Sequence, residues 1–306
     1  MSSRWSLRSK VCMLAAAAGF GALPLAATAP AEALIGTSYD ASTSQARSIV
    51  RTENGCTGTL VNPSWVLTSA LCADSVVPSS TTAVIGWHNR ANPSDPLTNA
   101  VTRVVIQTVK HPSYRPASQD AEAAKRYDVA LLRLNASVTD RPVIRIGAPG
   151  IYNDYDGVGE TWKDATLFGW GQMDGGVPAT KLRAQNTRMR DHGWAENRWG
   201  AANWDRTYNI AFGGQDLSGQ GPCGADRGGP AMGSTAVYTG SVHSDHAGYI
   251  QMGVQSAIKG SCGVNPARYI RVDQGPILNW LAGQVTLPCN ANKTWKWQSD
   301  NTPGCS

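Results

Sequence analysis

The chain has 306 residues, of which 42% are hydrophobic and 16% are charged, enough for one large domain or two fused halves with a buried core. Its formal net charge is only +5 and no lysine- or arginine-rich run occurs, which excludes a surface built for nucleic acid or anionic membranes. The 32 glycines and 17 prolines favour many turns and short strands over helices.

The N-terminus has the pattern of a secretion signal. Three basic residues within the first ten positions precede an apolar run over residues 11–27, and Ala31 and Ala33 are small residues where a signal peptidase reads them. A membrane anchor is disfavoured because the run is short and broken by a proline. We therefore predict that residues 1–33 are a signal peptide and that the secreted, extracellular protein begins at Leu34.

The mature chain would keep 24 basic and 21 acidic residues, a net charge of +3, and six of the seven cysteines. An even number of cysteines after an export signal indicates disulfides, but the count leaves the pairing open. No cysteine or histidine spacing matches a zinc site, and we predict no metal and no cofactor.

Short runs rich in β-branched residues follow one another from Ile49 onward, and most are bounded by Gly, Pro, Asn or Ser. The predicted strands cover residues 57–61, 66–69, 82–87, 101–110, 127–134, 166–170, 235–239, 249–256 and 267–272. This pattern favours an all-β barrel or sandwich. One helix is predicted near the C-terminus, with Asp273 as its cap and Pro276 in its first turn.

The segment 185–220 differs from its surroundings because Trp194, Trp199 and Trp204 are spaced five residues apart among Gly and Asn. Tryptophans at this spacing do not share one helical face. We interpret the segment as a long loop whose tryptophans pack onto the barrel. The alternative is an exposed aromatic surface that binds a partner.

Seven motifs with a common resemblance occur in one order along the chain. They are Cys-Thr-Gly-Thr-Leu-Val at 56–61, Trp-Val-Leu-Thr-Ser-Ala-Leu-Cys at 65–72, Asp-Val-Ala-Leu-Leu-Arg-Leu at 128–134, Gly-Trp-Gly at 169–171, Cys-Gly-Ala-Asp-Arg-Gly-Gly-Pro at 223–230, Gly-Val-Gln-Ser at 253–256 and Tyr-Ile-Arg-Val at 269–272. Together they resemble the trypsin/chymotrypsin-like serine protease family.

The resemblance implies an all-β fold of two packed six-stranded antiparallel β-barrels followed by a C-terminal α-helix. It places the domain at residues 34–284, with barrel one at about 34–150, barrel two at about 151–272 and the helix at about 274–284. Residues 285–306 would then form a separate tail.

The resemblance also implies two disulfides, one between Cys56 and Cys72 and one between Cys223 and Cys262. Cys289 and Cys305 are then left to close the tail, a bond that the family does not require. The tail is polar apart from two tryptophans at positions 295 and 297.

Catalysis in this family needs a Ser nucleophile, a His base and an Asp that orients the His. The resemblance places Asp128 at the Asp position, Leu71 at the His position and Arg227 at the Ser position. Leucine accepts no proton, and an arginine guanidinium is always protonated and is not a nucleophile. The chain is therefore predicted to be a pseudoprotease, a homologue with a degenerate catalytic triad.

The surrounding positions of the site also depart from the family. In the oxyanion loop, the family has glycine two residues before the position of Arg227, and this chain has Ala225 there. In the specificity pocket, Gly221 stands where trypsin has the Asp that binds Lys and Arg, and Ile258 and Ala267 stand at common glycine positions. Ser256 is the fourth residue carried over to this pocket. No preference for basic substrates follows.

Two charge pairs are predicted around the altered site. Asp226 matches the family's aspartate that pairs with the new N-terminus, so we hypothesise that the ammonium of Leu34 pairs with Asp226 after signal cleavage. A second hypothesis pairs Arg227 with Asp128, which would otherwise be a costly buried carboxylate.

The predicted function is binding of a peptide or protein ligand by a secreted, monomeric, inactive serine protease homologue, without nucleic acid and without membrane contact once the signal is removed. One alternative is a serine-type endopeptidase that works through a rearranged site. Another is a wall- or matrix-binding module that uses Trp295 and Trp297 of the tail.

Overall fold

The computed structural model describes most of the chain after Ala33. The described residues are 34–35, 38–91, 100–147, 164–171, 179–214, 221–234, 249–273, 275–290, 293–297 and 303–305. The predicted signal peptide and the predicted strand 235–239 lie outside them.

Six strands close the first barrel. They are β3 (Ile49–Thr52), β4 (Thr57–Asn62), β5 (Trp65–Thr68), β6 (Thr82–Ile85), β7 (Val101–Lys110) and β8 (Ala130–Leu134). They pair antiparallel in the closed order β3-β4-β5-β8-β7-β6. Closure leaves none of these strands with an unpaired edge.

Strands β4 and β5 are apolar along their length because both of their faces are buried. Leu60 and Val66 point into the interior of the first barrel. Val61 and Leu67 point the other way, into a second cluster that includes Ile277 of the C-terminal helix. Two buried faces explain why these segments read as continuous apolar runs instead of alternating with polar residues.

Six more strands close the second barrel. They are β10 (Asp164–Gly169), β11 (Arg183–Arg190), β12 (Asn209–Phe212), β14 (Pro230–Ser234), β15 (Tyr249–Ala257) and β16 (Ala267–Arg271). Their antiparallel order is β10-β14-β15-β16-β12-β11, and pairing of β11 with β10 completes the circle. The predicted pair of six-stranded barrels with a C-terminal helix is confirmed.

Four short strands extend this framework. They are β1 (Leu34–Ile35), β2 (Tyr39–Asp40), β9 (Arg145–Ile146) and β13 (Gly221–Pro222). β1 pairs with β13, which immediately precedes the loop of Arg227, so Leu34, the predicted start of the mature chain, lies next to the altered site. β2 adds to β11, and β9 runs parallel to β15.

In the part of the chain that the structure describes, five α-helices connect or follow the strands. They are α1 (Thr43–Ala46), α2 (Ala70–Asp74), α3 (Ala121–Tyr127), α4 (His192–Trp199) and α5 (Gly275–Gln284). None of the helices in the described part of the chain has the length and apolar character needed to span a membrane.

The structure differs from the strand prediction in several places: β3 and β14 were not among the predicted strands, and two further differences have clear causes. The predicted strand 127–134 begins only at Ala130, because Asp120 caps α3 through the N–H of Ala123 and the helix continues to Tyr127. The segment 185–220 is not a long loop, since it holds most of β11, all of α4 and all of β12. The sequence hides these elements because their buried positions include polar residues, such as Gln185.

Two of the three tryptophans of this segment pack onto the barrel, in agreement with our interpretation, while Trp194 is only half-buried. Trp199 and Trp204 are buried with Ala211 of β12 in one cluster. The indole of Trp199 donates a hydrogen bond to the carbonyl of Pro266, and its ring lies under the guanidinium of Arg268. These two rings are therefore part of the barrel and not an exposed binding surface.

At the C-terminus, α5 begins at Gly275, close to the predicted start. Asp273 is buried and forms an ion pair with Arg271 at 2.8 Å. The tail contains a three-stranded sheet of β17 (Pro288–Asn290), β18 (Lys293–Trp297) and β19 (Pro303–Cys305). The side chains of these strands lie outside the described residues, so the bond between Cys289 and Cys305 stays a prediction.

Two disulfides join the loops around the altered site. Cys56 bonds Cys72, which links the start of β4 to α2, and Cys223 bonds Cys262, which links the loop of Arg227 to the turn after β15. The first closes a loop of 16 residues and the second a loop of 39 residues. Cross-links of this kind restrict the unfolded chain more than the folded one.

Replacing both Cys56 and Cys72 by serine should lower the free energy of unfolding by about 3 kcal/mol, the loop-closure entropy of a loop of this size. Urea unfolding of the oxidised protein and of the variant measures the difference. A loss below about 1 kcal/mol would show that the loop is held by other contacts.

Candidate active site

Asp128 lies at the C-terminal cap of α3, just before β8, and is only 4% exposed. One carboxylate oxygen accepts the N–H of Leu71 at 2.8 Å, and the other accepts the hydroxyl of Ser256 at 2.7 Å. Leu71 belongs to barrel one and Ser256 to barrel two, so this carboxylate bonds to both barrels. Both of its oxygens are thereby occupied.

Burial raises the pKa of Asp128 above its usual value. The two hydrogen bonds and the positive charges of Arg227 and Arg268 act in the opposite direction by stabilising the ionised carboxylate. In the family such a carboxylate would hold a histidine, but here the adjacent side chain is Leu71. Asp128 is therefore held in place but has no histidine beside it to orient.

Leu71 lies in the first turn of α2, whose N-terminus is capped by Ser69 through the N–H of Cys72. Its side chain is 38% exposed, which is unusual for leucine in this fold. An exposed isobutyl group at this position presents an apolar surface to the cleft and offers no atom that can accept a proton.

The main chain of the Arg227 loop is bonded to both barrels. The carbonyl of Arg227 accepts the N–H of Thr57 at 3.0 Å, and the N–H of Gly228 donates to the carbonyl of Gln255 at 2.9 Å. Gly228 has φ +81°, and a Cβ there would collide with the carbonyl of Thr57 and the hydroxyl of Thr68. Glycine is therefore required at this position, whereas the side chain at 227 has no part in anchoring the loop.

The predicted ion pair between Arg227 and Asp128 is wrong. Across the described residues, no hydrogen bond or ion pair joins the two side chains, and the Nε of Arg227 is buried without a partner. Instead of Arg227, the N–H of Leu71 and the hydroxyl of Ser256 compensate for the burial of Asp128. Arg227 influences Asp128 only through its charge.

The oxyanion loop is folded into a 3-10 turn over Gly224–Asp226. The N–H of Arg227 donates to the carbonyl of Gly224 at 3.3 Å, and the N–H of Asp226 donates to the carbonyl of Cys223 at 3.1 Å. An oxyanion hole uses the N–H of the nucleophile position and that of the residue two before it, here Ala225. In this chain the N–H at 227 is already used within the loop.

Asp226 is almost fully buried and accepts two backbone N–H groups, from Cys223 at 2.8 Å and from Gly171 at 2.7 Å. Burial raises the pKa of Asp226 to about 7, against the lowering effect of these two hydrogen bonds. Leu34 is also fully buried, and it pairs in register with Pro222, one residue before Cys223. Its pairing with Asp226 as a free ammonium stays a prediction.

The four specificity-pocket positions are close-packed. Gly221 lies in β13, and Ala267 is buried in the core of barrel two with Leu34. Ile258 packs against the same core, and its Cδ1 lies 3.9 Å from where a Cβ on Gly224 would be. The hydroxyl of Ser256 donates a hydrogen bond to Asp128. None of the four side chains carries a charge that could bind a ligand.

A cavity of about 450 Å³ opens beside Leu71 and Arg227, on the side of the Cys56–Cys72 disulfide. Arg51 and Trp170 also line it. Sequence reasoning missed Arg51, since nothing in its local sequence marks it. It identified Trp170 only as part of a strand motif.

One family model and three relatives connect the chain with known proteins. A family model described as Trypsin matches residues 35–281. Serine protease 28 of Mus musculus is 28% identical over 187 residues, which cover 58% of this chain and 62% of that protein. Serine protease SP24D of Anopheles gambiae is 28% identical over 236 residues, covering 76% and 72%. Phenoloxidase-activating factor 1 of Holotrichia diomphalia is 25% identical over 245 residues, covering 75% and 61%.

The alignments span about three fifths of the length of the mouse and Holotrichia proteins. The family match itself covers both barrels and most of α5. The likeness therefore concerns the barrel domain that carries the altered site.

The buried carboxyl of Asp226 makes stability depend on what precedes Leu34. In a chain that still carries preceding residues, its pKa of about 7 exceeds the ordinary value of 3.8, so the folded state binds the proton more tightly. This contribution is complete below the ordinary pKa and is lost as the pH rises through the folded value. We expect the free energy of unfolding of an N-terminally extended protein to fall by several kcal/mol between about pH 4 and pH 7.

The protein that begins at Leu34 should lack this fall, because a nearby ammonium would hold the carboxyl ionised. Urea unfolding of the two forms across that pH range measures the difference. Equal pH dependence in both forms would show that the N-terminus does not pair with Asp226.

Proposed function

This chain belongs to the trypsin family of serine proteases, and from that membership we propose that it is a secreted, catalytically inactive member that binds a peptide or protein ligand in its altered cleft. The proposal rests mainly on the side chain and the backbone N–H of residue 227. Its side chain is a guanidinium, and its N–H is bonded to the carbonyl of Gly224.

The chemistry of the side chains supports inactivity. A peptide bond is cut in this family by a hydroxyl whose proton passes to a neighbouring base. Arg227 supplies no hydroxyl and Leu71 supplies no base, although Asp128 is held by two hydrogen bonds. Loss of the nucleophile or the base alone lowers turnover by on the order of 10⁶-fold.

The backbone supports inactivity independently of the side chains. Transition-state stabilisation by an oxyanion hole requires free N–H groups aimed at the developing charge. In the 3-10 turn the N–H of Arg227 donates a hydrogen bond to the carbonyl of Gly224. This N–H is therefore not free to bind a developing negative charge. Restoring the side chains alone would leave this arrangement in place.

A binding role is supported by what the chain retains. The loop of Arg227 keeps its backbone bonds to both barrels, and the Cys56–Cys72 disulfide holds α2 beside it. The cavity at this place is lined by the exposed side chain of Leu71 and by Arg227. A concave site with an apolar wall and charged donors is suited to a peptide segment.

Secretion is supported by the two disulfides, which persist in oxidising compartments. It is also supported by the basic and then apolar pattern of residues 1–33. The alternatives of a rearranged endopeptidase and of a matrix-binding tail remain predictions, the first of which the following experiment tests.

We expect the protein to leave casein intact and to take no label from a fluorophosphonate, because no nucleophile is activated. The double variant Leu71→His/Arg227→Ser replaces the missing groups but keeps the 3-10 turn. Adding Ala225→Gly removes a Cβ that penalises other conformations of the loop. The triple variant should exceed the double variant by about 10²-fold in hydrolysis, the value of one oxyanion donor.

Covalent labelling of the unchanged protein would overturn inactivity and favour the rearranged endopeptidase. A double variant as active as the triple variant would show that the turn does not limit the oxyanion hole.

Peptide binding in the cleft can be tested with a displayed peptide library selected on the protein. The Leu71→Trp variant places a larger side chain in the cleft. The selected peptides should bind this variant at least about tenfold more weakly than the unchanged protein, the effect of losing one good contact. Val77→Trp is the matched control, because Val77 is another exposed aliphatic residue, 59% accessible, beyond α2. Equal affinity for both variants would place binding elsewhere.

A further inference from the structure

Three of the side chains that line the cavity beside the Cys56–Cys72 disulfide each have one buried polar atom without a partner. These atoms are the Nε of Arg51, the Nε of Arg227 and the indole Nε1 of Trp170, and each is buried without a hydrogen-bond acceptor. Buried donors in folded proteins are nearly always satisfied, so three in one cavity require an explanation. They are brought there from β3, from the oxyanion loop and from the end of β10.

Trp170 makes the strongest case because its side chain is only 1% exposed. The ring is fixed by packing against Trp87, with centroids 5.7 Å apart, and by a surrounding apolar cluster. An indole N–H can only donate, and burial away from water leaves this one with no acceptor from the protein. A bound ligand that reaches the base of the cavity would supply the acceptor.

The two arginines give the cavity a positive charge. In the described part of the chain neither forms an ion pair, and the Arg51 guanidinium donates one long hydrogen bond, of 3.4 Å, to the carbonyl of Thr52. Burial, and to a smaller extent the charge of Arg90, lower the pKa of Arg51.

One carboxylate also lines the cavity, but it is already engaged. Glu53 accepts the N–H and the hydroxyl of Thr82 through the same oxygen, at 3.3 and 3.2 Å. Glu53 therefore binds toward β6 and makes no ion pair with Arg51. Among the described residues that line the cavity, the buried side-chain atoms without a partner are all donors.

We propose that this cavity binds a carboxylate of the peptide ligand, with Arg51, Arg227 and Trp170 as its donors. An ionised carboxylate only accepts hydrogen bonds, so it complements a set that only donates. The planar guanidinium fork matches the two carboxylate oxygens in geometry as well as in charge. The inference rests on the proposed peptide-binding role and specifies its chemistry.

On this inference Arg227 stands at the family's nucleophile position but serves to bind the ligand. The side chain that replaces the nucleophile supplies a fixed charge, held in place by a loop whose backbone is bonded to both barrels. The carboxylate belongs either to the C-terminus of a peptide or to an Asp or Glu side chain within it. The two sources share the same chemistry and are separated by experiment.

The test uses the folded, disulfide-bonded protein and the indole N–H signals in a nitrogen-15 NMR spectrum. The sequence has 11 tryptophans, so these signals are few, and Trp170→Phe assigns the one of interest. Acetate is titrated at constant ionic strength, with acetamide as its uncharged analogue of the same shape. We expect a saturable shift of the Trp170 signal with acetate and none with acetamide.

Arg51→Gln and Arg227→Gln should each weaken acetate binding by about tenfold, the effect of one charge-assisted hydrogen bond. Arg133→Gln is the matched control, because it removes the same charge from an exposed site over the Trp65 ring of barrel one. The other indole signals report whether each variant is folded. No shift with acetate, or an equal shift with acetamide, would overturn the carboxylate site without any variant.

Three short peptides then identify the source of the carboxylate. They are acetyl-Ala-Ala-Ala with a free C-terminus, acetyl-Ala-Asp-Ala-amide and acetyl-Ala-Ala-Ala-amide. We expect one of the first two to bind at least about tenfold more tightly than the uncharged third, and the tighter one names the source. If all three bind equally, the carboxylate site is wrong and the peptide cleft stands. If acetate binds but neither anionic peptide does, the peptide role is wrong and the anion site stands.

Discussion

The carboxylate of Asp128 is bonded to both halves of the molecule. It is buried, and burial of a charge is tolerated only where donors compensate for lost water. One donor is the N–H of Leu71 in barrel one and the other is the hydroxyl of Ser256 in barrel two. A second buried bond, from Thr59 to Gln251 at 2.8 Å, crosses between the barrels in the same way. Separating the barrels would leave polar groups unpaired on both sides, so the barrels hold the cleft in one geometry.

The loop of Arg227 is likewise hydrogen-bonded to both barrels. Its backbone bonds run to Thr57 in barrel one and to Gln255 in barrel two, and Asp226 is fixed by two further N–H groups. None of these bonds involves the side chain at 227. The position can therefore change from a hydroxyl to a guanidinium while the loop keeps its place. This independence explains how catalytic chemistry can be lost while the architecture of the family persists.

Much of the fold was predictable because β4, β5, β7 and β15 carry β-branched or apolar runs that need no tertiary context. Strands β11 and β12 were not, because their buried positions hold polar residues whose partners come from distant parts of the chain, as with Asn209 and the carbonyl of Lys125. The substitutions at Leu71 and Arg227 were readable directly. The missing ion pair, the 3-10 turn and the buried, unpartnered indole N–H of Trp170 were not, since each depends on which groups meet in three dimensions.

The carbonyl of Gly224 has a consequence for inhibitors. Inhibitors that imitate the substrate of a serine protease present an oxygen to the N–H groups of the oxyanion hole. In this protein the N–H of Arg227 already bonds the Gly224 carbonyl. Such an inhibitor would lose that donor and would meet a guanidinium in place of the hydroxyl it is shaped to engage. If the protein is secreted and inactive as proposed, it would not compete with active relatives for such inhibitors.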